Sequence, residues 1–163
     1  VVAEGQRGFA VLPVSNEDLR DITQMRQLLE CRALRMSIEQ GNLDWEARVV
    51  AAYHKLQKVE VLVEEKPDEY GESWERYNQD FHSALISNCH SRWLKFYYQA
   101  MYDHSRRYRM ISLKARPFPR SQSAAEHKAI LDAALARDAD RAVKILEATA
   151  DRALLSRRRQ VEP

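Results

Sequence analysis

Leu19, Ile22, Arg26, Leu29, Ala33 and Met36 recur at intervals of three and four residues, and no glycine or proline falls among them before Gly41. That spacing lays all six along one face of an α-helix. A second run, Trp45, Val49, Ala52, Leu56, Val59 and Val63, repeats the pattern, and a third joins Trp74, Asn78, Phe81 and Leu85. A chain made of such runs has to bury several helical faces against one another. Four glycines and five prolines in 163 residues leave too few turns for an all-β fold. The length fits one domain with one sizeable core. The expectation is a single, mostly α domain.

The bulk numbers exclude more than they identify. A net charge of +2 does not by itself make a nucleic-acid surface. Cys31 and Cys89 form no spacing pattern and are read as reduced thiols. No signal peptide is visible, and no apolar run approaches the roughly 18 residues that cross a bilayer. A cytoplasmic protein without membrane contact is expected. His-Glu-x-x-His, Gly-x-Ser-x-Gly and Gly-x-x-x-x-Gly-Lys are all absent. A di-iron bundle enzyme needs Glu-x-x-His pairs, and no histidine here has a glutamate three residues before it. The chain is therefore read as a non-enzyme.

Residues 1–14 differ from the rest of the chain: Gly5 and Gly8 punctuate short runs, and Phe9 to Leu12 suit an extended segment before Pro13. Ser15 with Asp18 caps a first helix, and Gly41 stops it. A second helix spans about Asp44 to Glu64, with a loop after it at Lys66 to Gly71. The third covers Trp74 to Cys89, and the fourth, rich in aromatic residues, runs from Arg92 to about Leu113. Pro117 and Pro119 mark a connection. Ser123 to Glu126 then reads as a capping box that places His127 in the first turn of a fifth helix. Ala136-Arg137-Asp138 turns the chain into a last helix with Ala142, Leu146, Thr149 and Ala153 inward. His54 and His90 fall off the buried faces.

Several polar residues stand on stripes that should be buried. Asn78 and His82 are one turn apart on the third helix, and buried polar groups need partners. With His127 from another helix they have the spacing of a loose mononuclear metal site lacking an anionic ligand. Arg26 either snorkels or pairs with Glu30 at the edge of its stripe, or turns inward to clamp a carboxylate. Arg106-Arg107-Tyr108-Arg109 winds round its helix instead of forming one basic surface. It is either solvated or sends Tyr108 or Arg109 into the bundle towards an anionic ligand.

These segments together resemble the C-terminal effector-binding (FCD) domain of GntR-family bacterial transcription regulators of the FadR branch. Gly8 to Ser15 is similar to the end of a winged helix-turn-helix domain and its linker. Asp21 to Glu30 is similar to the first-helix motif, an arginine followed by Leu-Glu. Asn78-Gln79-Asp80-Phe81-His82 resembles Asp-x-x-Phe-His, Glu126 to Ile130 resembles Glu-His-x-x-Ile, and Asp138 to Thr149 has the last-helix spacing. Asp44-Trp45-Glu46-Ala47 and Arg107-Tyr108-Arg109 look closest to regulators of the glutarate and γ-aminobutyrate pathway.

The resemblance implies an antiparallel bundle of six or seven helices over residues 15–160, with residues 1–14 the remnant of a DNA-binding domain. It implies a homodimer that binds a small carboxylate effector in a central cavity, often through Zn²⁺ or Ni²⁺, and reaches DNA only through that other domain. His82 and His127 match metal ligands, and Arg26 matches an effector-binding arginine. Tyr108, Arg109 and Thr149 complete the expected effector site. Asn78 stands where the family usually has aspartate, and Thr149 where it usually has histidine, so the metal site is expected to be weak or incomplete. A ligand-free dimerisation scaffold and a metal-dependent enzyme are the alternatives.

Overall fold

A computed structural model describes the backbone of residues 2–3, 9–10, 15–114 and 120–161, and the side chains of residues 15–111 and 122–150. Val2–Ala3 (β1) pairs antiparallel with Phe9–Ala10 (β2). Six helices, with short connections, make up the remainder of the described residues: α1 (Asn16–Glu39), α2 (Leu43–Glu65), α3 (Pro67–Leu85), α4 (Arg92–Lys114), α5 (Arg120–Leu135) and α6 (Ala139–Val161). The all-α expectation holds.

Local chemistry sets the helix ends. Ser15 Oγ accepts the Asp18 amide at 3.0 Å and Asn42 Oδ1 accepts the Trp45 amide at 2.9 Å, each satisfying a free donor of a first turn. The stretch from Lys66 to Gly71, expected as a loop, is the start of α3 instead. Pro67 occupies the first turn, where a missing N–H costs nothing, and Asp68 and Glu69 face the positive end of the helix. Helix α5 begins at Arg120, so the expected cap at Ser123 is not used and His127 lies two turns into the helix.

The packing partners close into a ring: α1 on α4, α4 on α3, α3 on α2, α2 on α5, α5 on α6 and α6 on α1. Cross-links fix the directions. Asp18 reaches Tyr108 while Glu30 reaches Tyr98, so α1 and α4 run antiparallel. Arg35–Asp140 and Gln27–Glu147 do the same for α1 and α6. The ring's middle receives side chains from every helix. Its apolar part holds Leu34, Ile38, Trp45, Val49, Leu56, Phe81, Leu85, Ile130 and Leu146. Trp45 ties α2 to the end of α3 by donating to the carbonyls of Ala84 and Leu85, each at 3.2 Å.

Two corners meet at one end of the ring. Arg137, in the left-handed region at φ 60°, turns α5 into α6 and sends its guanidinium to Ile38 O and Glu46. A Cβ at Gly41 would run into Arg137 Nη1 and come within 2.5 Å of the Trp45 ring, so only glycine fits there. The aromatic helix α4 divides: Tyr98, Tyr102 and Tyr108 are buried, whereas Trp93 and Tyr97 stack in solvent with Phe96 edge-on to both.

Candidate functional site

Helix α3 brings Asn78 and His82 inward, as its stripe requires, and α5 brings His127 beside them; all three are buried. The two imidazole rings lie 5.6 Å apart, and Phe81 packs edge-on against both, at 5.7 and 5.6 Å. Each ring has a buried carboxylate at its Nδ1. Glu30 Oε1 of α1 lies 2.5 Å from His82 Nδ1, and Glu60 Oε1 of α2 lies 2.6 Å from His127 Nδ1. No hydrogen bond within the described residues engages the Nε2 atom of either ring.

Burial pushes the Glu30 carboxyl up, but the His82 ring, with Arg26 and Arg109 behind it, outweighs burial and holds it below the usual glutamate value. Burial also drives His82 below the usual histidine value, against the pull of Glu30. Ionised carboxylate facing neutral imidazole is the state both directions favour. Such a ring donates through Nδ1–H and keeps its Nε2 lone pair.

Arg26 is the loosest member. Its side chain is 14% exposed, its Nε sits 3.9 Å from Glu30 Oε2, beyond hydrogen-bond range, and that Nε has no partner although it is buried. Arg26 does face Glu30, as the edge-pairing expectation has it, but Glu30 is itself interior, so the pair is not at a solvated edge. The guanidinium carbon also lies 5.7 Å from the centre of the Tyr102 ring.

Arg109 and Tyr108 are placed elsewhere. Arg109, 4% exposed, is gripped by Glu75: Nε lies 3.1 and 2.9 Å from the two carboxylate oxygens and Nη2 lies 2.5 Å from Oε1. Its remaining donors reach Ser105 Oγ and Tyr102 O, and its guanidinium carbon stands 3.9 Å from the Tyr102 ring centre. The Tyr102 hydroxyl accepts Asn78 Nδ2 at 2.8 Å, which leaves Asn78 Oδ1 as the free atom of that amide. Tyr108 donates to Asp18 at 2.5 Å at the end of the bundle where α1 begins. Thr149 is half-buried on α6 and donates to Ile145 O at 2.9 Å within its own helix.

The structure thus gathers Asn78, His82, His127 and Arg26 and connects Arg109 to them through Tyr102, but sets Tyr108 apart. Glu30, Glu60 and Glu75 are functional-site neighbours that periodicity on apolar residues passes over. The donor set for a metal is incomplete: two imidazole nitrogens and one amide oxygen, with no anion among them. Among the described residues no group of three or more His, Cys, Asp or Glu is arranged to hold an ion. A groove of about 410 Å³ between α1 and α6 is lined by Gln24, Leu28, Cys31, Arg35, Val143 and Glu147 among others, and none of the cluster's residues lines it. Burial raises the Cys31 thiol there to about 12, which leaves it unreactive.

The FCD domain family matches residues 21–152. The uncharacterized HTH-type transcriptional regulator BphR of Paraburkholderia xenovorans (strain LB400) is 42% identical over 147 residues, covering 90% of this chain and 59% of that protein. The HTH-type transcriptional repressor GlaR of Escherichia coli (strain K12) is 29% identical over 149 residues, covering 90% of this chain and 67% of that protein. The chain therefore spans somewhat over half the length of these relatives, which are transcription regulators and not enzymes. Among solved structures, a GntR-family transcriptional regulator from Pseudomonas syringae pv. tomato str. DC3000 superposes with TM-score 0.70 at 24% identity, over 93% of this chain and 60% of that one. E. coli McbR/YncC gives TM-score 0.78 at 17% identity, over 98% and 73%. No described helix is long and apolar enough to cross a membrane. On the family match over most of its length, the chain belongs to the FCD domain family found in GntR-type transcription regulators.

Proposed function

We propose that this domain senses a small organic acid for a cytoplasmic transcription regulator, with DNA contacted by a helix-turn-helix segment of the kind its relatives' names carry. The observation that supports this most is Arg26: a largely buried side chain whose interior Nε–H is unused, in the same cluster as two imidazoles with unused nitrogens. A folded domain gains little from leaving such a donor unmet; a carboxylate meets the guanidinium with a charge-assisted hydrogen bond, while the bare imidazole nitrogens accept an O–H or N–H of the ligand or bind a metal ion. Asn78 and Thr149 complete the lining, and Arg109 acts from behind Tyr102.

A divalent ion, Zn²⁺ or Ni²⁺, would be held by His82, His127 and Asn78, and would supply positive charge for the effector's carboxylate. With only neutral protein donors, such an ion would lean on the effector's carboxylate, so ion and acid would bind together more tightly than either alone. As a homodimer, the protein then changes the spacing of its DNA-binding segments when the effector prefers one arrangement of the bundle.

Thermal shift with a panel of dicarboxylic and hydroxy acids, with and without Ni²⁺, tests this. At 100 times Kd an acid stabilises by about 2.7 kcal/mol, so the melting temperature rises by several degrees in wild type and not in Arg26→Met. No shift with any acid, in either condition, would return the domain to a plain dimerisation scaffold.

A further inference from the structure

We infer that Glu30 and Glu60 are positioning residues, one behind each imidazole, that hold the Nδ1 protons of His82 and His127 and so keep both Nε2 lone pairs free for the ligand. This rests on the sensing role proposed for the two histidines and adds to it residues from α1 and α2, neither of which carries a histidine of the site.

The geometry carries it. Both contacts use the same ring atom, Nδ1, and both partners are interior carboxylates, with side chains 3% and 8% exposed. A histidine on an apolar face usually finds one polar neighbour; two rings 5.6 Å apart, each backed by its own glutamate from a different helix, form a built pair. A carboxylate only accepts, so each ring must present a proton at Nδ1. A neutral ring with its proton there has a bare Nε2. Imidazoles that bind metals are commonly oriented in this way by a carboxylate behind them. The same lone pairs accept an O–H or N–H from an organic ligand, so the arrangement serves with or without an ion.

Glu60 has a further feature. Its second oxygen, Oε2, is buried without a partner. An interior carboxylate engaged through one oxygen alone gains little stability from being there. Glu30, by contrast, also receives the Tyr98 hydroxyl at 3.4 Å and faces Arg26. Of the two, Glu60 is the one whose place in the core is explained least by packing and most by the ring in front of it.

Long-range ¹H–¹⁵N NMR of the imidazoles reads the tautomer without any ligand, and calorimetric titration with Ni²⁺ reads the consequence. Wild type should show both rings protonated at Nδ1 and bare at Nε2. Glu60→Leu should release His127 to a mixture of tautomers or to the Nε2–H form, and weaken Ni²⁺ about 10–100-fold. Glu60→Gln, whose amide oxygen still accepts the Nδ1 proton, should restore the tautomer and much of the affinity. Glu30→Gln should likewise keep His82 in its wild-type form. Wild-type rings protonated at Nε2 would overturn the inference whether or not metal binds. The expected tautomers without any Ni²⁺ binding would sink the metal-assisted reading and leave the positioning role intact. Should Glu60→Leu not fold, the wild-type and Glu60→Gln spectra decide alone.

Discussion

Two inward-facing arginines on neighbouring helices, one buried and one largely so, sit in opposite circumstances. Arg109 spends its donors on Glu75, Ser105 and the Tyr102 carbonyl, and Tyr102 covers its face. Arg26 stands next to Glu30 at 3.9 Å with a buried N–H unmet. Both face the same tyrosine ring, so neighbourhood does not separate them. What differs is saturation. A guanidinium whose geometry is fully matched is part of the scaffold, whereas one left short of partners is available to something that arrives later.

The sharpest way to break this contrast is to disarm the saturated pair. Arg109→Met leaves the Glu75 carboxylate buried and alone, which should cost about 3–5 kcal/mol. Urea denaturation should show the loss, and a paired Glu75→Leu, Arg109→Met variant should recover most of it. If the single variant stays within about 1 kcal/mol of wild type, Arg109 is not part of the scaffold.

The same substitution at Arg26 should behave differently. Glu30 keeps His82 and Tyr98 when Arg26 is lost, so Arg26→Met should cost about 1 kcal/mol or less, since no hydrogen bond is forfeited. The acid-induced rise in melting temperature should nonetheless vanish. A large stability loss would make the two arginines alike.

The smallest effect belongs to the partly exposed cluster where α1 begins. The Tyr108 hydroxyl, with Arg107 beside it, holds Asp18 below the ordinary aspartate value of 3.8 despite some burial. A carboxyl lowered on folding adds stability that is complete above its unfolded value and fades as pH falls through the folded one. Stability should therefore drop below about pH 3.8 more steeply in wild type than in Asp18→Asn. Equal acid limbs would show that Asp18 adds nothing there.

Much of the fold is legible because its signal is apolar. The stripe through Trp74, Asn78, Phe81 and Leu85 is buried as spacing requires, and His82 accompanies it inward. On α1 the apolar stripe does pack inward, with Leu19 and Ala33 buried and Leu29 and Met36 against the core, but Thr23, Glu30 and Ser37 beside it are buried too, and their polarity invites assignment to solvent. Glu60 lies four residues after Leu56 and three before Val63, inside a buried row, and Glu75 lies three before Asn78. Position marks all three glutamates as interior while residue type argues against it. The start of α3 is obscured by Pro67, which reads as an ending although its fixed φ also suits a beginning.

Gly41 carries one more implication. Because the bare α-carbon leaves room for the Arg137 guanidinium, two corners nearly a hundred positions apart along the chain share one small volume. Neither corner can be rebuilt alone: lengthening the 136–138 bend withdraws the guanidinium from Ile38 O, and adding a methyl at 41 evicts it. An engineer grafting a new loop onto this end would have to redesign both together.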